Sequence, residues 1–61
     1  MIDEEMRALV RVCHGSGESW EDIEGAVYTG IWRSVGMDSS MTEWSIKKAK
    51  EIVSLEKSTY E

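Results

Sequence analysis

Residues 19–36 read SWEDIEGAVYTGIWRSVG, and this segment decides the fold. It contains no proline and opens on Ser19, a natural helix N-cap because its hydroxyl accepts a hydrogen bond from a backbone N–H of the first turn. It closes on Gly36, which is typical of a Schellman ending, where glycine takes the left-handed conformation after the last turn. The segment therefore predicts a helix over residues 19–35.

The predicted helix is apolar around much of its circumference. At 100° per residue its large side chains form two rows, which are rotated from each other by roughly 60 to 120°. The first row, predicted to face the core, is Trp20, Ile23, Val27 and Ile31. The second row is Tyr28, Trp32 and Val35. A 61-residue chain has little with which to cover both rows. We therefore expect the second row to be an open edge and a candidate partner-binding surface.

Two glycines lie inside this helical pattern, at Gly25 and Gly30. Each costs about 1 kcal/mol relative to alanine in a helix interior, so each calls for a structural reason. One reason is close approach of a second helix along the small side chains. The other is a break of the helix at Gly30, and the sequence leaves both open.

The flanking segments predict two further helices. Residues 3–14 place apolar side chains at helical spacing, with Asp3 as a candidate cap at the start and Gly15 as the left-handed residue at the end. Residues 40–58 open on Ser40-Met41-Thr42-Glu43, which has the Ser-x-x-Glu pattern of a capping box. We predict an all-α fold, a small three-helix bundle that forms a single domain over residues 1–61.

The sequence of the third helix also predicts a wide apolar arc. Its predicted core face is Met41, Ala49, Ile52, Val53 and Tyr60. Trp44 and Leu55 lie within about 20° of each other in projection but far from Ala49. We include Trp44 and Leu55 with the second row as candidate partner-binding residues.

Residues 13–22, CHGSGESWED, contain several side chains that could take part in catalysis or ligand binding. A phosphate loop is disfavoured because Glu18 and other acids surround the place where an anion would bind. Cys13 continues an apolar stripe and is predicted to be a small buried hydrophobe, while His14 is predicted at a helix C-terminus, where a cation is favourable. The stretch is interpreted as a turn followed by an N-cap.

No catalytic, metal or cofactor site is predicted. One cysteine and one histidine are too few for a four-ligand zinc site within the chain, and one cysteine allows no intrachain disulfide. The chain has no apolar run of membrane-spanning length. We expect a cytoplasmic protein that is not an enzyme and has no membrane partner.

Charge is distributed unevenly along the chain. The formal net charge is −5, with seven acids and two bases in residues 1–30 and five of each in residues 31–61. A net negative charge argues against binding to nucleic-acid phosphates through overall charge. The acidic half contains a candidate patch of Glu18, Glu21, Asp22 and Glu24, which would suit DNA mimicry against a basic protein groove.

The alternative is a DNA-binding regulator. Residues 26–31, AVYTGI, resemble the small-residue and turn-glycine spacing of a helix-turn-helix, and the third helix carries Lys47, Lys48 and Lys50 as candidate DNA contacts. The motif would require a helix break at Gly30, and Gly36 falls where it normally has a branched apolar residue. The preferred hypothesis is a small acidic regulatory or inhibitory protein, monomer or homodimer, that binds a protein partner, in the manner of a phage-type antagonist of a host system.

Overall fold

The computed structural model describes residues 2–60, which form three α-helices and one short 3₁₀ turn. Helix α1 spans Ile2–Gly15, α2 spans Trp20–Ser34 and α3 spans Thr42–Ser58, with the 3₁₀ turn at Ser39–Met41 between α2 and α3. The prediction of an all-α three-helix bundle is confirmed. The described part of the chain contains no strand.

One apolar core lies between the three helices, and every helix contributes to it. Its buried members are Met6, Val10, Cys13, Ile23, Val27, Ile31, Ala49, Ile52 and Val53. The first row of α2 supplies Ile23, Val27 and Ile31, which are fully buried, as predicted, while Trp20 is half-buried against the core. Helix α2 packs most extensively against α3. The face of α2 that the spacing of apolar residues predicts is therefore the face that the hydrophobic effect buries.

Helix α2 begins and ends where its signals predict. Ser19 is extended and its hydroxyl accepts a hydrogen bond from the backbone N–H of Asp22 at 3.2 Å. At the other end Gly36 has a φ of +84°, and the backbone N–H of Met37 donates to the carbonyl of Trp32 at 2.9 Å. This is the hydrogen bond of a Schellman motif. The helix is continuous through Gly30, so the break that a helix-turn-helix would need is absent.

The start and end of α1 differ from the prediction. Asp3 lies inside the helix, whose first described residue is Ile2. Gly15 is the last helical residue, and the left-handed glycine is Gly17, with a φ of +82°. The backbone N–H of Glu18 then donates to the carbonyl of Cys13 at 3.2 Å. Glycine also adopts helical dihedrals, so the first glycine after an apolar stripe does not have to end the helix.

The capping box predicted at Ser40 is wrong. Asp38 caps this region instead, because its carboxylate accepts hydrogen bonds at 2.9 Å from both the backbone N–H and the hydroxyl of Ser40. These hydrogen bonds lower the pKa of the Asp38 carboxyl. A 3₁₀ turn follows, and α3 starts at Thr42 after Met41, which makes no side-chain capping bond. With Ser40 bonded to Asp38, α3 starts two residues later than predicted.

The two glycines of α2 have different surroundings. A Cβ built on Gly30 would lie 3.0 Å from Sδ and 3.2 Å from Cε of Met6, so Gly30 allows α1 to approach α2 closely. A Cβ built on Gly25 would meet no atom within 4 Å. Close approach therefore accounts for Gly30, and no packing contact accounts for Gly25.

This difference predicts opposite outcomes for two matched substitutions. Gly25→Ala is expected to raise the free energy of unfolding by about 0.5 to 1 kcal/mol, because alanine restricts the unfolded chain and favours helix. Gly30→Ala is expected to leave the protein no more stable than the native chain, because Met6 must shift within a packed core. Urea denaturation of the two variants measures both values. An equal gain from both substitutions would contradict the close contact at Gly30.

Candidate protein-binding groove

A shallow groove runs along the surface between α2 and α3 and consists of two open hollows. The first hollow, of about 380 Å³, is lined by Glu21, Glu24, Gly25, Tyr28, Ile46 and Ala49. The second, of about 390 Å³, is lined by Trp20, Glu21, Glu24, Lys50, Val53, Ser54 and Lys57. Glu21 and Glu24 belong to both hollows, which therefore form one continuous feature. We call it the α2–α3 groove.

One residue that lines the first hollow has no side chain. Gly25 presents bare backbone to it, since a Cβ at this position would be in open space. Around it lie the half-buried ring of Tyr28, the side chain of Ile46 and the buried methyl group of Ala49. The floor is consequently apolar, and it is large enough to receive a side chain from outside.

Opposite charges line the two walls of the groove. Glu21 and Glu24 project from α2, whereas Lys50 and Lys57 project from α3. The ammonium of Lys57 lies 5.9 Å from the centroid of the Trp20 ring, within range of a cation–π contact. None of these four charged side chains belongs to an ion pair of 4 Å or less within residues 2–60. Each keeps its charge available to a bound partner.

The predicted acidic patch is only partly brought together. Glu21 and Glu24 line the groove, whereas Glu18 and Asp22 are exposed and do not. Asp22 lies in the first turn of α2, where its backbone N–H is capped by Ser19. The patch is thus two acids at the groove and two acids beside it.

The second row of α2 is half-buried rather than open. Tyr28, Trp32 and Val35 all have intermediate exposure, and Tyr28 packs against the core. The indole Nε1 of Trp32 donates a hydrogen bond to the backbone carbonyl of Asp38 at 3.2 Å. The connection between α2 and α3 therefore passes beside Trp32. Of the three residues, only Tyr28 lines the groove.

The other two predicted partner-binding residues lie elsewhere. Trp44 is 43% exposed and Leu55 is 49% exposed, and neither lines the groove. In projection they lie between Lys48 and Glu51, about 160 to 180° around α3 from Ile46, which lines the groove. The five predicted residues therefore belong to two separate surfaces.

The three candidate DNA contacts do not share one basic face. Lys48 forms an ion pair with Asp3 of α1, with 3.3 Å between Nζ and Oδ2. Lys50 lines the α2–α3 groove near two glutamates, and Lys47 is exposed. A recognition helix needs its bases directed together at the nucleic acid. Here they are directed toward α1, α2 and solvent.

Sequence reasoning missed a buried charge at Glu56. Its side chain is 6% exposed, and Oε1 lies 3.3 Å from Nε of Arg7 and 3.1 Å from Nη2 of Arg11. Arg7 and Arg11 are one helical turn apart on α1, so both reach the same carboxylate. Their i, i+4 spacing was a signal in the sequence, but their partner is 45 residues away from Arg11.

Cys13 and His14, the candidate reactive residues of segment 13–22, have structural roles. Cys13 is buried in the core, and burial raises the pKa of its thiol, with a further rise from Glu18, so the nucleophilic thiolate is disfavoured. His14 lies in the last turn of α1 and stacks on Tyr60, with 4.0 Å between ring centroids. The Trp20 ring is 5.0 Å from His14. These rings join the ends of the three helices.

Within residues 2–60, no group of three His, Cys, Asp or Glu side chains is placed to hold a metal ion. None of the helices in this part of the chain has the length and apolar character needed to cross a membrane. No family model, curated protein or solved structure matches the chain. The α2–α3 groove is the feature on which a function can be argued from geometry.

Proposed function

We propose that this chain is a small regulatory or inhibitory protein that acts by binding a protein partner in the α2–α3 groove. The observation that carries the proposal is the combination, in one groove, of an apolar floor at Gly25 with the carboxylates of Glu21 and Glu24, which form no ion pair within residues 2–60. Interfaces of this kind combine a desolvated apolar centre with a charged rim. The groove is built on two packed helices, which hold it in a fixed shape.

The charges of the first hollow favour a basic segment of a protein as its occupant, because Glu21 and Glu24 line this hollow, whereas Lys50 and Lys57 line only the second. An apolar side chain of the partner would fill the first hollow above Gly25, next to Tyr28. Lysine or arginine side chains on the same segment would face Glu21 and Glu24, which gives charge complementarity and faster association. The hollows are open to solvent, so they suit projecting side chains better than a small molecule, which needs an enclosing pocket.

Inhibition by DNA mimicry is a narrower form of the same proposal. A protein that binds nucleic acid presents basic residues, and Glu21 and Glu24 would occupy the place of phosphates. A phage-type antagonist of a host system would act in this way. We propose the cytoplasm as its location, where the free thiol of Cys13 stays reduced.

Reversing the groove charges tests the proposal. In affinity capture from a bacterial lysate, the native chain is expected to retain a polypeptide that the variant Glu21→Lys/Glu24→Lys no longer retains. The variant Glu4→Lys/Glu5→Lys makes the same change of net charge at exposed positions on α1 and is expected to retain it. Circular dichroism verifies that each variant is folded.

A second variant isolates the apolar floor. Gly25→Leu places a side chain at the first hollow, where a Cβ would meet no atom within 4 Å, and is expected to weaken capture while the protein remains helical. Equal capture by all four proteins would overturn the groove as the binding site. Tight, salt-sensitive binding of duplex DNA by the native chain would favour the DNA-binding alternative instead.

A further inference from the structure

Four residues of α3 form a stripe on the side of the helix away from the α2–α3 groove. Trp44, Lys48, Glu51 and Leu55 follow each other at intervals of four, three and four residues. This spacing is the one by which a helix presents a continuous seam to a second helix. We call these four residues the α3 seam.

The seam is open along most of its length. Trp44 and Leu55 at its ends are 43% and 49% exposed, and Glu51 between them is exposed. Lys48 is half-buried because it also reaches Asp3 of α1. The stripe thus has one large apolar side chain exposed at each end, with a lysine and a glutamate between them.

The order of the side chains is self-complementary. When two copies of α3 run antiparallel, with a two-fold axis between residues 49 and 50, Trp44 of each copy lies opposite Leu55 of the other. The same axis places Lys48 opposite Glu51. Each charge thus meets its opposite, and each apolar residue meets another apolar residue. An interface with two-fold symmetry requires this property, because residue i contacts j in both directions.

The distribution of charge also favours this face for a second copy. Helix α3 contains four lysines and three glutamates, whereas the rest of the chain contains nine acids and three bases. Two copies of an acidic chain repel each other at most of their surface. Contact through α3 pairs two helices that carry no net negative charge, and it keeps the acids of α2 in the two copies apart.

We propose that the α3 seam is the contact surface of an antiparallel homodimer. Trp44 and Leu55 form the two outer layers of the contact, and Lys48 and Glu51 form two ion pairs between the copies. One face of a 17-residue helix gives a contact at the low end of interface sizes, so the dimer is weak and depends on concentration. The α2–α3 groove lies on the opposite side of α3 and stays open in both copies.

The experiment is sedimentation equilibrium of the full chain over a wide range of concentration. The native chain is expected to rise from its monomer mass of 6.9 kDa toward twice that value. Leu55→Ser, at an exposed position, is expected to weaken the association by about tenfold or more while circular dichroism remains helical. A native chain that stays monomeric at millimolar concentration would overturn the proposal.

Two charge variants test the register of the pairing. Glu51→Lys places two lysines on the seam, so two such copies repel each other. Asp3→Lys/Lys48→Glu places two glutamates on the seam and retains the ion pair with α1 in reversed sense. Each variant alone is expected to be monomeric, and an equimolar mixture is expected to form a heterodimer, because every pair across the axis is again of opposite charge.

The mixture excludes a purely structural explanation. A variant that had lost its fold would not regain association when mixed with another. If both variants dimerise alone as the native chain does, or if the mixture stays monomeric while Leu55→Ser dimerises, the proposed seam is wrong. The groove variants change residues of α2, and the groove lies on the side of α3 opposite the seam. Loss of partner capture and loss of self-association are therefore separate results.

Discussion

Glu56→Ala is expected to lower the free energy of unfolding by about 2 to 3 kcal/mol, measured by urea denaturation. The Glu56 carboxylate is buried between two helices and accepts from Arg11 at 3.1 Å, with Arg7 at 3.3 Å. Loss of the carboxylate leaves two guanidinium groups without their partner. Their side chains are 44% and 59% exposed, so water compensates in part, and the loss is smaller than for a fully buried pair.

Isosteric and apolar replacements separate charge from packing at this position. Glu56→Gln retains the volume and an acceptor oxygen, and is expected to lose about half as much stability as the alanine variant. Glu56→Met retains volume without an acceptor. If Glu56→Met is as stable as the native chain, the methylene groups and not the ion pairs stabilise α1 against α3, and the argument from charge is wrong.

Trp32→Ala is also expected to lower the free energy of unfolding by about 2 to 3 kcal/mol. The ring is half-buried on α2, and its Nε1 donates to the carbonyl of Asp38 at 3.2 Å, which holds the connection to α3 in place. A fully buried tryptophan would lose more. Since a domain of this size has only a few kcal/mol of stability, circular dichroism is expected to show a clearly lower melting temperature.

Trp32→Phe is the control for the hydrogen bond. It retains most of the ring contact and is expected to lose about 1 kcal/mol. A Trp32→Ala variant that melts like the native chain would show that the ring is not part of the fold. If such a variant also failed to capture a partner, Trp32 would instead be an interface residue, as the apolar row first indicated.

The candidate site was predictable only in part. Glu21 and Glu24 were identified as acids beside each other, and Tyr28 as a large side chain with little to cover it. On α3, Ile46 was not identified and Lys50 was identified only as a candidate DNA contact, because their place in the groove depends on how α3 is rotated against α2. Helical projection gives the angles between residues of one helix but not the angle between two helices.

The sequence by itself determined the three helices, the ends of α2 at Ser19 and Gly36, and the apolar faces that form the core. These features depend on residues within one or two turns of each other, so local hydrogen bonds and periodicity are sufficient. Local signals were wrong at Ser40, because Asp38 accepts the hydrogen bond from the Ser40 backbone N–H that a capping box would give to Glu43.

Only the tertiary structure decided which of the residues predicted to be exposed are covered, and which charges are paired. Trp32 is covered by the connection that follows its own helix, and Glu56 finds its arginines on the helix farthest from it in sequence. Gly25 and Gly30 are alike in the sequence, yet only Gly30 faces another helix. These outcomes depend on distances between helices, which are set when the three apolar faces pack together and not by the spacing of residues within any one of them.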